Sequence, residues 1–187
     1  MRLHIGEIPE SPDFVPDDRW TRMREPTPWV MQALALPVGL VVAMALAVLW
    51  MTGTPLGRAP APSVGEIAAA LLAIVPAHEA LHVVMHPRTG DSVLGIWPSR
   101  LLFYTHYHNQ LRCRRYLAVL LMPVVALSLV PLAVCAVTGT ASAFVAIASV
   151  ANALFASGDL FAAALVLAQV PLGATLRNKG WRVYWKA

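Results

Sequence analysis

The residues with the clearest chemical potential lie in one short run, His78-Glu79-Ala80-Leu81-His82. This run fits the HExxH pattern, in which two histidines four positions apart lie one turn apart on the same face of a helix. Two imidazoles placed in this way can bind one Zn²⁺ ion. The intervening glutamate can then take a proton from a water molecule at the metal.

The setting of this run strengthens the prediction of a metal site. HExxH fixes only three positions, so the pattern alone is moderately specific. Here it lies inside a long apolar stretch, where ionisable residues are costly and usually face a polar cavity with a function. Neighbouring residues of a helix do not face each other, so His78 and Glu79 cannot simply satisfy one another.

A catalytic zinc site needs a third protein ligand, because zinc keeps its fourth position for water. Asp159 is the only acidic residue after Asp91, and a lone carboxylate in lipid needs a compensating cation. At a helical rise of 1.5 Å, His78 and His82 lie ~6 to 12 Å from the end of their apolar segment, and Asp159 lies ~15 Å from the end of its own. The similar depth predicts Asp159 as the third ligand.

The composition predicts an integral membrane protein. Of the 187 residues, 58% are hydrophobic and only 13% are charged, which is too apolar for a soluble domain of this size. Four apolar segments approach or exceed the ~20 residues that a helix needs to cross a bilayer. They are 29–51, 64–86, 116–137 and 142–169. With no alternation of the barrel type, the sequence predicts an all-α protein with four transmembrane helices.

The basic residues predict the orientation. The formal net charge is +4, but the fourteen Lys and Arg residues sort by side of the membrane rather than forming a nucleic-acid-binding face. All except Arg58 precede the first segment, lie between the second and third, or follow the fourth. By the positive-inside rule, both termini and the middle loop are expected on the cytoplasmic side of a plasma membrane, with lipid and no nucleic acid as partner.

The remaining chain divides into a membrane domain, 29–171, and two tails. The tail 1–28 is proline-rich, and we weigh an extended tail along the membrane surface against a disordered one. The tail 172–187 is basic and aromatic, typical of an interfacial anchor or of an unstructured end. The runs 93–97 and 101–107 predict a small cytoplasmic β-hairpin between the second and third helices. The fourth segment would span ~42 Å as one helix, so it must tilt, protrude or break, with Gly158 as the weak point.

Other candidate residues carry weaker predictions. His86 continues the four-residue spacing but drifts round the helix, so we interpret it as an interfacial residue, with a supporting role at the metal as the second option. His106 and His108 share one face of a predicted strand and are interpreted as solvated, with an accessory role as the alternative. Cys113 and Cys135 lack any spacing that indicates a disulfide or a metal site.

The combination of HExxH with Asn152 and Ser157-Gly158-Asp159 on a later segment resembles the site-2 protease class of intramembrane zinc metallopeptidases. Within that class it is most similar to the zincin peptidase family of small membrane proteins. The resemblance implies an aspartate on the later helix as third ligand and an upstream asparagine that helps position the substrate, here Asn152. Leu160 follows Asp159 where the class has glycine.

The residues and the resemblance together predict hydrolysis of peptide bonds in a peptide or transmembrane-protein substrate, with Zn²⁺ as cofactor and Glu79 as general base. A non-catalytic membrane protein with a structural zinc site for partner binding is the alternative.

Overall fold

The computed structural model describes residues 2–11 and 13–187, and most of this chain is helical. The helices are α1 (Pro28–Gly53), α2 (Val64–Met85), α3 (Cys113–Val124), α4 (Val130–Thr138), α5 (Ala143–Phe155) and α6 (Ser157–Gln169). A π-helical turn, Val125–Leu129, joins α3 and α4. Three helical segments are long and apolar enough to cross a membrane, and the bent pair α5–α6 makes a fourth if it counts as one span.

Local sequence signals set the ends of α2, the helix that carries HExxH. Its start has a capping box, in which the Ser63 hydroxyl accepts from the Glu66 N–H and the Glu66 carboxylate accepts from the Ser63 N–H. Its end at Met85 comes just before Pro87, which cannot continue the helical hydrogen bonds. The motif therefore lies in the last two turns of the helix.

The fourth apolar segment breaks, as its length requires. The axes of α5 and α6 differ by 47° across Ala156, two residues before the predicted weak point at Gly158. Gly39 of α1 packs against this break. A Cβ atom at Gly39 would lie 2.5 Å from the Cβ atom of Ser157, so only glycine lets α1 approach so closely.

Two small sheets accompany the helices, so the chain is mostly helical as predicted but contains more strands than the single predicted hairpin. The strands are β1 (Arg2–Ile5), β2 (Thr21–Arg22), β3 (Ser92–Trp97), β4 (Leu102–Tyr107), β5 (Leu111–Arg112), β6 (Thr175–Lys179) and β7 (Arg182–Lys186). One sheet has the order β1-β3-β4 and the other β2-β7-β6-β5. The antiparallel hairpin β3–β4 corresponds to the predicted one, and its side of the membrane stays a prediction.

The described parts of both tails contain paired strands, which none of the alternatives weighed for the tails predicted. The first tail supplies β1 and β2, and the second forms the hairpin β6–β7. Met1 and Pro12 of the first tail lie outside the described residues. Neither β1 nor β2 shows a local pattern, because each pairs with a strand that lies far away in sequence, and the sequence of a short strand does not encode its distant partner.

Candidate metal centre

Helices α2 and α6 bring the three predicted ligands together. The Nε2 atom of His78 lies 2.9 Å from Oδ2 of Asp159 and 3.1 Å from Nε2 of His82. The Nε2 atom of His82 lies 3.3 Å from the same aspartate oxygen. Both imidazoles are buried. Among the described residues, this is the group of His, Cys, Asp and Glu side chains whose geometry suits a metal ion.

A backbone carbonyl fixes the orientation of His82. The Nδ1 atom of His82 lies 2.9 Å from the carbonyl oxygen of Val119. A carbonyl can only accept, so Nδ1 carries the hydrogen and Nε2 presents its lone pair. This carbonyl lacks its usual helical partner, because residue 123, four positions later, is a proline without an N–H group. Pro123 thus leaves free the acceptor that orients a predicted ligand.

Asn152 fixes the orientation of His78 in the same way. Its Nδ2 group lies 2.9 Å from the carbonyl oxygen of Pro123 and 2.9 Å from the hydroxyl of Ser128. The Pro123 carbonyl can only accept, so the amide nitrogen must face it, and the amide oxygen therefore faces Nδ1 of His78 at 2.9 Å. His78 Nδ1–H donates to that oxygen, and Nε2 again presents a lone pair.

Three lone-pair atoms therefore converge with no hydrogen between the neutral imidazoles and the carboxylate. Such atoms repel one another at these distances unless a cation or an additional proton lies among them. Imidazole nitrogen and carboxylate oxygen are zinc ligands, and tetrahedral coordination at ~2.0 to 2.1 Å separates two ligand atoms by about 3.3 Å. The observed separations of 2.9, 3.1 and 3.3 Å are close to that value, so the residues fit zinc.

Glu79 lies beside this group with its own hydrogen-bond donor. Its side chain is buried, and the Thr105 hydroxyl of β4 donates to Oε2 over 2.6 Å. Glu79, the two histidines and Asp159 all line one cavity of about 920 Å³. Sequence analysis did not identify Thr105, because the contact joins α2 to a strand whose residues gave only a β-favouring pattern.

Asn152 is fully buried between α2, α3 and the π-helical turn. Its side-chain hydrogen bonds all go to His78, Pro123 and Ser128. The substrate-positioning role that the resemblance implies for Asn152 stays a prediction.

Among the four remaining histidines, His86, His106 and His108 lie apart from the ligand group in the described structure. His86 is buried, with Nδ1 3.0 Å from the Ser92 hydroxyl and its ring against Tyr107. His106 and His108 are 3% and 8% exposed, so their interpretation as solvated residues is wrong. Burial lowers the pKa of His106 to about 3, which keeps that ring neutral.

The fold and the site define a multi-pass membrane protein with a candidate zinc centre between two of its apolar helices. Residues 71–175, more than half of the chain, match the model of the family described as "Putative zincin peptidase", and the chain belongs to this family. The matched region contains His78, His82 and Asp159. Membership indicates a zinc metallopeptidase. No curated protein and no solved structure matches the chain.

Proposed function

We propose that this protein is an intramembrane zinc metallopeptidase of the site-2 protease type, which hydrolyses peptide bonds with Glu79 as general base. The observation that carries the proposal is the convergence of three lone-pair atoms, with Glu79 beside them, on a cavity between apolar helices. The cavity is large enough to admit a peptide segment.

The number of ligands favours catalysis over the structural alternative. Structural zinc sites are usually closed by four protein ligands, whereas catalytic sites have three and leave one position open. Among the described residues the group contains His78, His82 and Asp159, and all three line the open cavity. A carboxylate beside the group is the general base that a peptidase requires and that a structural site does not need.

The proposed chemistry assigns a task to each side chain. Zinc, when bound, polarises the scissile carbonyl and a water molecule. Glu79 takes the proton of that water during its attack on the carbonyl carbon and passes the proton to the nitrogen of the leaving amine. Thr105 holds the Glu79 carboxylate through Oε2. His78 and His82 keep their protons on Nδ1 throughout, because each Nδ1–H donates a hydrogen bond, to the Asn152 amide oxygen and to the Val119 carbonyl respectively.

Substrate in this proposal lies extended along β4. β4 is an outer strand of its sheet and lines the cavity beside Glu79. The His108 N–H points toward β3, because it donates to the carbonyl of Asp91. Successive residues of a strand point their backbone groups in opposite directions, so those of residues 103, 105 and 107 point away from β3. These free groups can pair with an extended peptide by strand addition.

A proline at position 103 tests this mode of binding. F103P removes one N–H from the free edge, and we expect a KM several-fold higher at unchanged zinc content. F103A is the matched control, because it removes the ring but keeps the N–H. An equal rise of KM in both variants would indicate a role of the ring alone and would refute strand addition.

The proposed function itself is tested by zinc content and hydrolysis in three forms of the full-length protein. The wild type should bind one zinc and cleave members of a quenched fluorescent peptide library. H78A should lose the metal. E79Q should keep it and lose 10²- to 10⁴-fold in kcat, the usual contribution of a general base. Negligible zinc in the wild type, or full activity in E79Q, would refute the peptidase proposal.

A further inference from the structure

The role of Asn152 has a second interpretation, which the distances favour over direct contact with substrate. All of its polar atoms are used inside the protein: Oδ1 faces His78, and Nδ2 donates to Pro123 and Ser128. The side chain is 0% exposed and does not line the cavity at the metal group. A group without free polar atoms or access to the cavity has nothing to offer a substrate in this conformation.

We infer that Asn152 is a positioning residue, which selects the His78 tautomer that presents Nε2 to the metal. This inference rests on the metal site of the proposed function. The imidazole has two tautomers, and only the one with hydrogen on Nδ1 leaves Nε2 free as a ligand. The amide of Asn152 accepts from Nδ1–H and would meet no hydrogen in the other tautomer. Partners of this kind typically contribute 10- to 100-fold to metal affinity.

The amide cannot rotate to serve the other tautomer, because its surroundings fix it. A flipped amide would place oxygen against the Pro123 carbonyl, where two acceptors would repel. The Ser128 hydroxyl donates to the carbonyl of Ser149 at 2.7 Å and so accepts from Asn152. The π-helical turn that contains Ser128 therefore helps to orient a ligand on a different helix.

The test compares zinc affinity, measured by chelator competition, in full-length variants. N152L removes every hydrogen bond at similar volume and should raise the zinc Kd 10- to 100-fold. N152D keeps an acceptor for Nδ1–H but places its second oxygen against the Pro123 carbonyl, so its Kd should lie between those of wild type and N152L. S149A is the control: it perturbs the same buried network without touching Asn152, and its zinc Kd should not change.

The absorption spectrum of bound cobalt(II) is a measurement that a loss of stability alone would not change. The visible d–d absorption of bound cobalt reports its ligands, so N152L should alter that spectrum while S149A preserves it. If N152L does not fold, ¹⁵N spectra of histidine in the metal-free wild type decide the matter, since the inference requires His78 to carry hydrogen on Nδ1.

Each failure has a distinct meaning. Zinc affinity and a cobalt spectrum like those of wild type in N152L, with a raised KM, would overturn the inference and support contact with substrate. Hydrogen on Nε2 of His78 together with no hydrogen on Nδ1 in the metal-free protein would overturn it as well. A wild-type protein that binds no zinc would instead refute the proposed function.

Discussion

The Thr105 hydroxyl gives Glu79 a fixed direction, because it donates to one carboxylate oxygen and leaves the other free. A carboxylate that must accept a proton gains from being held in place before the reaction. Thr105 is also a side chain that connects the hairpin β3–β4 to α2. Its contribution to turnover can therefore be separated from metal binding, since among the described residues its hydroxyl hydrogen bonds go to Glu79 and not to a proposed ligand.

Loss of this hydroxyl should slow the reaction without removing the metal. We expect T105V to lower kcat about tenfold, because a hydrogen bond to a charged group contributes roughly 1.5 to 3 kcal/mol, of which only part is specific to the transition state. T105S keeps the hydroxyl and should recover most of the rate. Steady-state kinetics and zinc content decide the outcome, and a loss of zinc in T105V would contradict the separation of roles.

At the level of helices and strands, the parts of the candidate site that sequence could predict are those with a signal of their own in the sequence. His78, Glu79 and His82 follow from a fixed spacing, and Asp159 follows from being the one acid at a matching depth. The supporting groups depend on contacts between elements. Val119 becomes an acceptor only because Pro123 removes its partner, and this proline is a signal that sequence analysis could have used.

Among the strands, too, sequence predicted those with a local signal and missed those that depend on distant contacts. The hairpin β3–β4 has local β-favouring runs and was predicted, with its cytoplasmic placement still untested. β1 and β2 were missed, because their pairing partners β3 and β7 lie more than 80 residues away in sequence. Polar, proline-rich composition alone suggested disorder, although Met23 of this tail is buried in a core formed with Cys113 and Val183.

The contact of α1 with the break between α5 and α6 predicts which glycine matters. A Cβ atom at Gly39 would lie 2.5 Å from the Ser157 side chain and 3.1 Å from the Leu154 carbonyl, so G39A must displace the break. We expect a loss of about 1 to 3 kcal/mol in stability, typical of overpacking. Because Asp159 lies two residues beyond Ser157, zinc affinity should fall as well.

Gly158 provides the matched control for G39A. Apart from its neighbours in the same helix, a Cβ atom there would have no heavy atom of the described residues within 4 Å and would face open space. G158A should therefore retain the wild-type melting temperature and zinc affinity, although it lies next to Asp159. If G158A is as damaging as G39A, the importance of the break lies in its flexibility rather than in the close approach of α1.

For the whole molecule, strand pairing limits the number of membrane crossings. β5 directly precedes α3 and β6 follows α6, and the two strands are paired, so both ends of this helical region lie on one side. The pairing of β1 with β3 places the same condition on α1 and α2. Since the segment Cys113–Thr138 is long enough to cross once, we expect the bent pair α5–α6 to return to the first side. Strand pairing therefore favours four crossings over three.

Four crossings, with both ends of the chain on one side, predict where reporters fused to the chain should be active. The sheets unite the segments that hold every basic residue except Arg58, and the positive-inside rule assigns such segments to the cytoplasm. In bacterial cells, an alkaline phosphatase fused after Ala187 should be inactive and a green fluorescent protein there should fluoresce. Phosphatase fused after Gly139, beyond α4, should be active and serves as the positive control. An active phosphatase after Ala187 would mean that α5–α6 does not cross, and β5 and β6 could then not pair.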